Sequence, residues 1–331
     1  MSTSALPISV VIPTHDRWRE LSQCLAALAQ QDFTEPFEVV VVADGCTDAT
    51  VSNLEALAPR FDLRVLAQPS RGAATARNNG ARAARSPLLL FLDDDVIPSP
   101  GVISAHVRRH ASMPADGVVI GPYLPTPPQA DDYFRMQFFD FWRQTFDTMG
   151  EDGHKATYRD FVSGNFSIAA SSFWAAGGFD ESFPSCGMED YELGVRLLAA
   201  GLQLEFASEA AALHLETTDG HRLLRRKFRE GGGTITLVGL HPEVLHTTVL
   251  PKPRSVARRL AFAAPVAAGA IESILQAMLE PAAALRLKPL WSWLNAHAQG
   301  LAFWRGVGHQ LGGGAREFSS FIETVERRIR S

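Results

Sequence analysis

Short apolar runs alternate with helical patterns in the first part of the chain, and this alternation restricts the fold more than any other feature. The runs at residues 8–12, 38–42, 63–67 and 88–92 are rich in Val, Ile or Leu, as expected of strands buried on both faces. Residues 18–30, 47–57 and 73–84 have helical patterns, the second with Thr47 as its expected cap. Right-handed β-α-β connections then predict an α/β fold with a mostly parallel sheet flanked by helices.

The composition is that of a soluble protein with a large core. The chain has 331 residues, 46% of them hydrophobic. Its 31 Lys and Arg residues against 36 Asp and Glu residues leave a formal charge of -5. This balance provides no general electrostatic basis for binding nucleic acid.

The cysteines and the N-terminus predict the compartment. Cys24, Cys46 and Cys186 are odd in number and lack CxxC spacing, so they indicate neither a disulfide framework nor a zinc site. The N-terminal residues show no basic region followed by an apolar run, so no signal peptide is predicted. We expect a cytoplasmic protein, either free or at the inner face of the membrane.

Carboxylates follow three of the four predicted strands. Asp16 follows the first, Asp44 the second, and Asp93, Asp94 and Asp95 the fourth. Because parallel strands end at the same edge of a sheet, we expect these side chains to meet there, where a Mg²⁺ or Mn²⁺ ion would balance their charge. The alternative interpretation is that each Asp ends a strand and caps the next helix.

Neither common phosphate-binding loop is present. The chain has no GxxxxGK[ST] motif, and Ile-Pro-Thr-His-Asp-Arg stands where a GxGxxG motif would follow the first strand. An Asp-x-Asp-x-Thr phosphohydrolase is also disfavoured, since Val96 and Ile97 supply no Thr. The remaining class is one in which carboxylates and a metal hold a nucleotide.

Four motifs, in order, resemble the family 2 glycosyltransferases of the GT-A fold. They are Ile-Ser-Val-Val-Ile-Pro-Thr-His-Asp-Arg at 8–17, Ala-Asp-Gly-Cys-Thr-Asp at 43–48, Arg-Gly-Ala-Ala-Thr-Ala-Arg-Asn-Asn-Gly at 71–80, and Phe-Leu-Asp-Asp-Asp at 91–95. The resemblance continues through Gly-Gly-Phe-Asp-Glu at 177–181 and the Glu-Asp motif at 187–197 to about His214. It covers roughly the first two thirds of the chain.

This resemblance implies nucleotide-sugar donors, a divalent metal, and inversion at the anomeric carbon. In the nucleotide-sugar site it implies that Pro13, Thr14 and Asp16 line the nucleotide pocket, that Asp44 accepts a hydrogen bond from the base, and that Arg77, Asp93 and Asp94 lie beside the nucleoside and donor sugar. It makes Asp95 the metal ligand. Ala43 and His15 depart from the family's usual Asp and aromatic residue, which leaves the base and the donor sugar undetermined.

The general base and a later metal ligand are expected in the second half. The resemblance implies that Asp190 is the base, whereas Glu189 and Asp190 also suit the first turn of a helix because they complement its dipole. His214 resembles a later metal or diphosphate ligand, and its alternative is an ordinary buried imidazole between two Leu residues. Ser171 is expected to cap a short helix after a strand at 166–170.

Two further segments each have two interpretations. The basic run at 222–229 reads either as a helix with a solvated face or as a diphosphate clamp hinged at the glycines 231–233. The aromatic residues at 133–146 read either as core or as an apolar acceptor platform. They are Tyr133, Phe134, Phe138, Phe139, Phe141, Trp142 and Phe146.

The family motifs stop near residue 250. We expect a glycosyltransferase domain at 1–250, with a nucleotide-sugar half at 1–115 and an acceptor half at 116–250, a linker at 251–253, and a helical extension at 251–331. No apolar run reaches about 18 residues, so no membrane span is predicted. The extension either packs on the catalytic domain or a second subunit, or places tryptophans beside Arg286, Lys288 and Arg305 on a membrane surface.

The expected reaction is transfer of one or a few sugars. The Gln-x-x-Arg-Trp motif of processive synthases is absent from the sequence. The acceptor class stays open among glycans, glycolipids and small molecules. A non-catalytic nucleotide-sugar or glycan-binding module of the same fold is the alternative, and the intact Glu189-Asp190 pair argues against it.

Overall fold

The computed structural model describes residues 7–113, 117–129, 132–183, 187–215, 219–251 and 255–330. Cys186 and residues 252–253 of the expected linker lie outside these ranges, as does the start of the N-terminus. The chain forms two compact units. The first contains the described residues up to 126 and from 139 to 215, and the second contains those from 127 to 138 and from 219 onward.

The first unit is built on a seven-stranded sheet. Its strands, in spatial order, are β3 (Asp62–Gln68), β2 (Glu38–Asp44), β1 (Ile8–Thr14), β4 (Leu88–Leu92), β8 (Asn165–Ala169), β6 (Gly117–Ile120) and β9 (Gln203–Phe206). The block from β3 to β4 is parallel, whereas β8 runs antiparallel to both of its neighbours. The four strands predicted from apolar runs and the mostly parallel sheet are therefore confirmed.

A second, three-stranded sheet brings the middle of the chain to the end of β4. It has the order β5 (Val96–Pro98), β10 (Ala212–His214) and β7 (Tyr123–Pro125). His214 is paired with Val96, and the Leu215 N–H donates to the Asp95 carbonyl at 2.8 Å. Asp95 and His214 are thus brought together by strand pairing, although they lie far apart in the sequence.

Helices flank the large sheet. They are α1 (Trp18–Leu28), α2 (Thr50–Glu55), α3 (Ala73–Ala83), α4 (Val102–Ser112), α5 (Tyr133–Met149, shared with the second unit), α6 (Ala170–Ala175) and α7 (Glu189–Ala199), with a 3₁₀ turn at Tyr158–Asp160. Helix α3 approaches β1 so closely that a Cβ on Gly80 would lie 2.4 Å from Val11 Cγ1. Only glycine fits this position without a shift of the strand.

Two predicted helix caps are wrong. Helix α2 begins at Thr50, because both the N–H and the hydroxyl of Thr47 donate to the Asp16 carboxylate instead. Helix α6 begins at Ala170 with Ala169 as its N-cap, so Ser171 already lies inside the helix. The contact with Asp16 thus sets the start of α2, and the end of β8 sets the start of α6.

The end of β4 rests on an aromatic core. Phe91 stacks on Phe166 with ring centroids 4.6 Å apart, and Phe173 and Phe179 pack around the pair. All four rings are essentially inaccessible to solvent. Because such interiors are close-packed, the carboxylates that follow Leu92 begin from a rigid support.

The second unit is helical, and the described residues of the predicted helical extension lie within it. Its elements are α8 (Gly220–Leu240), a 3₁₀ turn at Pro242–Thr247, α9 (Val256–Ala263), α10 (Pro265–Ala277), α11 (Leu279–Ala284), α12 (Lys288–Leu311) and α13 (Ala315–Arg330). The functional boundary at residue 250 stays a prediction. In the described part of the chain, no helix has the length and apolar character needed to cross a membrane.

The glycines at 231–233 are a packing feature of α8 rather than a hinge. The helix continues through all three, so the interpretation that they hinge a clamp is wrong. A Cβ on Gly231 would lie 2.0 Å from the Phe303 carbonyl oxygen, and one on Gly306 would lie 1.8 Å from the Phe228 carbonyl oxygen. Helices α8 and α12 therefore touch backbone to backbone, which requires glycine on each.

Candidate active site

The structure brings together residues from the ends of β1, β4 and β10. The Thr14 hydroxyl donates to Asp94 at 2.7 Å, and His214 Nε2 lies 3.5 Å from an Asp95 oxygen. Asp94, Asp95 and His214 are all buried. The predicted neighbourhood of Thr14, Asp94, Asp95 and His214 is therefore one cluster, and Pro13 precedes Thr14 on the same strand.

Arg17 supplies the cation of this cluster. Its guanidinium lies 3.1 Å from Asp94 and donates to Asp95 at 2.7 Å. Burial works to lower the pKa of Arg17, but the two carboxylates outweigh it and hold that pKa above its ordinary value. The sequence interpretation assigned charge balance to a metal alone and missed Arg17, although its position directly after Asp16 in the first motif was a usable signal.

The two buried carboxylates differ in charge. Burial alone would raise the pKa of Asp95, but the hydrogen bond and charge of His214 and then Arg17 hold it well below its ordinary value. Burial, and to a lesser extent the charge of Asp95, raise the pKa of Asp94 to about 7 against the lowering effect of Arg17. Asp95 is thus the carboxylate that stays charged.

Asp95 and His214 offer donors that fit a divalent metal. A carboxylate oxygen and an imidazole nitrogen, both buried and 3.5 Å apart, suit a cation such as Mn²⁺. Arg17 has a side chain that is 37% exposed, so it has room to release the Asp95 oxygen when a cation binds. The donor set fits the metal that the resemblance implies.

Asp16 does not join this cluster. Its oxygens accept from the Thr47 N–H at 2.6 Å, the Thr47 hydroxyl at 2.9 Å and the Asp48 N–H at 3.1 Å. The backbone hydrogen bond from Thr47 contributes most to lowering the pKa of Asp16. Asp16, Cys46 and Asp48 have potential ligand atoms within 4.8 Å of one another, but the Asp16 oxygens are already engaged by this loop.

Asp44 holds the loop that leads into α3. Its carboxylate accepts from the Arg71 N–H at 2.7 Å, the Gly72 N–H at 2.8 Å and the Gln68 side-chain amide at 2.8 Å. Gly72 is the N-cap of α3 and has a φ of +91°, a conformation that favours glycine. Asp44 therefore orients the start of α3, and its predicted contact with the base stays a prediction.

Arg77 is an internal clamp between β4 and α7. Its guanidinium donates to Asp93 at 2.7 Å, lies 3.5 Å from Glu189 and stands 5.3 Å from the centre of the Phe179 ring. Its side chain is only 5% exposed. Sequence reasoning considered Glu189 only as a helix-dipole residue and did not foresee this link, because its partner lies more than a hundred residues away.

Asp190 lies in the first turn of α7, next to this clamp. Burial, and then the charge of Glu189, raise the pKa of Asp190 to about 7. The preceding N-cap, Met188, has a φ of +75°, a strained conformation for a residue with a side chain. Burial raises the pKa of Tyr123, and the charges of Asp93 and Asp190 raise it further, so all three groups share one environment.

The aromatic residues divide between core and surface. Trp142 and Phe146 pack on Tyr123, with ring centroids 4.8 and 5.3 Å away, and Trp142 also faces His214. Phe141 is 54% exposed. The core interpretation thus holds for most of the segment, and the rings of Tyr123 and Trp142 support His214.

Family comparison agrees with this arrangement. The sequence model of "Glycosyl transferase family 2" matches residues 9–176, and that of "N-terminal domain of galactosyltransferase" matches residues 145–218. The chain belongs to glycosyltransferase family 2. The first match includes the ends of β1, β2 and β4 with their carboxylates, and the second includes Asp190 and His214.

Similar proteins support the family and the fold. A validoxylamine A glucosyltransferase of Streptomyces hygroscopicus subsp. jinggangensis is 34% identical over 234 residues, covering 63% of this chain and 56% of that protein. The chain thus spans about half the length of this curated relative.

Solved structures share the GT-A fold. The mannosyltransferase PcManGT from Pyrobaculum calidifontis, in complex with GDP-Man and Mn²⁺, has a TM-score of 0.58 and 19% identity, covering 92% of this chain and 88% of that one. S. aureus TarS 1-349 in complex with UDP has a TM-score of 0.52 and 18% identity, covering 92% of each chain. The predicted GT-A fold is confirmed.

Removing the Arg17 charge from this family 2 site should make the fold more dependent on metal. Arg17→Gln leaves Asp94 and Asp95 without their guanidinium, so we expect the free energy of unfolding in EDTA to fall by about 1–3 kcal/mol. In the variant, Mn²⁺ binds where the Arg17 charge is missing, whereas in wild type it must displace the guanidinium from Asp95. Mn²⁺ should therefore raise the melting temperature of the variant more than that of wild type. Differential scanning fluorimetry with and without Mn²⁺ measures both effects.

Arg19→Gln is the matched control, since Arg19 is exposed on α1. Equal Mn²⁺ shifts in Arg17→Gln and wild type would contradict the assignment of Arg17 as the resident cation.

Proposed function

We propose that this chain transfers a sugar from a nucleotide-diphosphate sugar to an acceptor hydroxyl by a single displacement that inverts the anomeric carbon. The observation that carries the proposal is the position of Asp190. It is a carboxylate with a pKa of about 7, held in the first turn of α7, and Glu189 beside it reaches Asp93 through Arg77. A general base works best when its pKa lies near the working pH.

In the proposed step, one bond forms and one bond breaks at the anomeric carbon. The acceptor oxygen attacks the anomeric carbon while the bond from that carbon to the diphosphate oxygen breaks, and the electron pair leaves with the nucleoside diphosphate. Asp190 takes the proton of the acceptor hydroxyl. Because attack comes from the side opposite the leaving group, the configuration at the anomeric carbon inverts.

The donor is proposed to lie against the cluster of Thr14, Asp94, Asp95 and His214. We assign Pro13, Thr14 and Asp16 to the nucleotide pocket, Asp44 to the base, and Asp93 and Asp94 to the ribose and donor sugar. Arg77 then acts mainly by keeping Asp93 and α7 in place, as its buried ion pairs support. Two structural neighbours are complexes with UDP and with GDP-Man, which supports a nucleotide-bound donor.

A divalent metal is proposed to assist. Asp95 and His214 would hold Mn²⁺ or Mg²⁺, which supplies positive charge to stabilise the departing diphosphate. The neighbour in complex with GDP-Man and Mn²⁺ supports this assignment. Arg17 keeps Asp94 and Asp95 neutralised before a cation binds.

The proposed reaction adds one or a few sugars in the cytoplasm. The absence of Gln-x-x-Arg-Trp from the sequence supports non-processive transfer, and the name of the validoxylamine A glucosyltransferase supports a small-molecule acceptor. Cys24 and Cys46 carry free thiols, which suit a reducing compartment.

A donor and acceptor panel tests this function. The full chain is incubated with UDP and GDP sugars, Mn²⁺ and small polyol, glycan or glycolipid acceptors, and released nucleoside diphosphate and product mass are measured. We expect one donor to be consumed with a product one sugar heavier than its acceptor. Donor binding without transfer or hydrolysis in every combination would favour the non-catalytic module, and a ladder of long products would contradict non-processive transfer.

The pH dependence of transfer should report Asp190. Only its ionised form accepts a proton, so kcat/KM should fall about tenfold per pH unit below about 7 and level off above it. The charged and titratable groups that face Asp190 are Glu189, Arg77 and Tyr123, and burial and Asp190 itself keep Tyr123 protonated through this range.

Donor affinity measured at each pH separates Asp190 from Asp94, which also has a pKa of about 7 but is assigned to the donor. A kcat/KM that stays flat from pH 5.5 to 8 after this correction would contradict the role of Asp190.

A further inference from the structure

The outer face of α10 is apolar where a surface helix is ordinarily polar. Its exposed positions are Pro265, Val266, Ala267, Ala270, Ile271, Ser273, Ile274 and Ala277, and the face continues into the cap residue Met278. Glu272 is the one charged residue of this helix, and its carboxylate is turned inward to accept from Arg305 at 2.7 Å. No charged side chain is exposed on α10.

The segment at 285–293, which follows α10 closely in the chain, also exposes apolar side chains. Leu285 is 70% exposed, Trp293 is 54% exposed, and Leu287 and Leu290 are also exposed. The same stretch buries Trp291 against Leu279 and Leu294, so its exposed side chains are those that the local core leaves out. Two cations, Arg286 and Lys288, are exposed between the leucines.

Exposed apolar side chains are concentrated in this region. Nine of the fifteen large ones that the described residues expose lie between 256 and 293, and they are Val256, Val266, Ile271, Ile274, Met278, Leu285, Leu287, Leu290 and Trp293. Scattered exposed apolar residues are ordinary, whereas a concentration of this kind marks an interaction surface. We call α10's outer face together with the 285–293 segment the apolar face.

We propose that the apolar face docks on the surface of a membrane that contains anionic lipid. Apolar side chains would enter the boundary between headgroups and acyl chains, while Arg286 and Lys288 meet lipid phosphates. Trp293, with an apolar ring and a polar N–H, suits this boundary. The helices lie on the membrane rather than cross it.

The charge of the face favours lipid over a second copy of the chain. Glu280 is the one exposed carboxylate between residues 265 and 297, against the two exposed cations Arg286 and Lys288. A self-complementary contact would therefore bring together two surfaces that each carry more positive than negative charge. Helix α8 adds exposed Arg225 and Arg229 to the same unit, and its start at Gly220 lies beside Gln276 of α10.

Vesicle flotation of the full chain tests this proposal. The vesicles contain phosphatidylcholine alone or with about a third phosphatidylglycerol. We expect wild type to float with the anionic vesicles and much less with the neutral ones. Ile274→Glu, at a position 60% exposed, should weaken binding about tenfold, and Arg286→Gln with Lys288→Gln should remove most of the preference for anionic lipid.

Leu57→Glu is the matched control, because Leu57 is exposed to 39% on the first unit and should leave flotation unchanged. Circular dichroism confirms that each variant is folded. Absence of wild-type flotation, or equal loss in Leu57→Glu, would overturn the proposal. So would light scattering that shows a dimer broken by Ile274→Glu without vesicle binding. Sugar transfer to a soluble acceptor should be unchanged in Ile274→Glu. Flotation therefore tests membrane docking alone, and the transfer assay tests the proposed function alone.

Discussion

Asp190→Asn is expected to abolish sugar transfer and leave donor binding nearly intact. The amide occupies the space of the carboxylate but cannot accept a proton from the acceptor hydroxyl, and loss of a general base costs about 10²–10⁴-fold in rate. The hydrogen bond that the Tyr191 N–H donates to Asp190 at 2.8 Å can still form with the amide oxygen. Initial rates of nucleoside diphosphate release, with donor affinity from calorimetry, measure the two effects.

The fold should tolerate this change. The folded-state pKa of Asp190, about 7, lies above its unfolded value of about 4, so the stability that it contributes is present below about pH 4 and lost as the pH rises through about 7. At pH 8 the native state therefore holds a half-buried charge that asparagine removes. We expect Asp190→Asn to melt at or above the wild-type temperature at that pH.

Asp140→Asn is the matched control, since the side chain of Asp140 is 62% exposed on α5. It should transfer sugar at the wild-type rate. Retained transfer in Asp190→Asn would contradict the assignment of the base.

The second large effect is expected from Asp95→Asn. This variant removes the ionised carboxylate of the cluster and keeps its shape, so Mn²⁺ affinity should fall at least about tenfold and metal-stimulated transfer about a hundredfold. Arg17 still has Asp94 as a partner, so the variant should fold. Mn²⁺ binding by calorimetry or electron paramagnetic resonance is a readout that does not depend on turnover.

The group of Asp16, Cys46 and Asp48, in which both carboxylates are exposed, provides the control for Asp95→Asn. Asp48→Asn should leave Mn²⁺ affinity and transfer unchanged. The reverse pattern, with Mn²⁺ binding lost in Asp48→Asn and kept in Asp95→Asn, would move the metal to the loop after β2.

The central strands were predictable because their signal is local. Runs such as Val39 to Val42 are buried on both sides of the sheet, and each strand lies where its apolar run stands in the sequence. The triple Asp could be placed at the end of β4 for the same reason. The motifs then gave the family, because several short patterns in order are specific where one is not.

The contacts that organise the site could not be predicted, because they join distant parts of the chain. Arg17 meets Asp95 across 78 residues, and Arg77 meets Glu189 across 112. Local patterns carry no information on which cation faces which carboxylate. Sequence reasoning therefore found the acidic residues and Arg77, but neither Arg17 nor the link from Arg77 to Glu189.

Helix α8 shows a different failure. Consecutive glycines disfavour a helix by about 1 kcal/mol each, which is why a hinge at 231–233 stood as one of the two interpretations of this segment. In the structure, close contact with α12 requires a residue without a Cβ at Gly231, and packing outweighs propensity. Tertiary contact also explains the displaced start of α2, where Asp16 engages Thr47.

The stereochemistry of the first-formed product tests the central claim most directly. Proton NMR of the reaction with an α-linked nucleotide-sugar donor, recorded in the first minutes, shows the configuration of the new glycosidic bond through its anomeric coupling. A single displacement assisted by Asp190 predicts a β-linked product from wild type and no product from Asp190→Asn. An α-linked product from wild type would contradict the proposed mechanism.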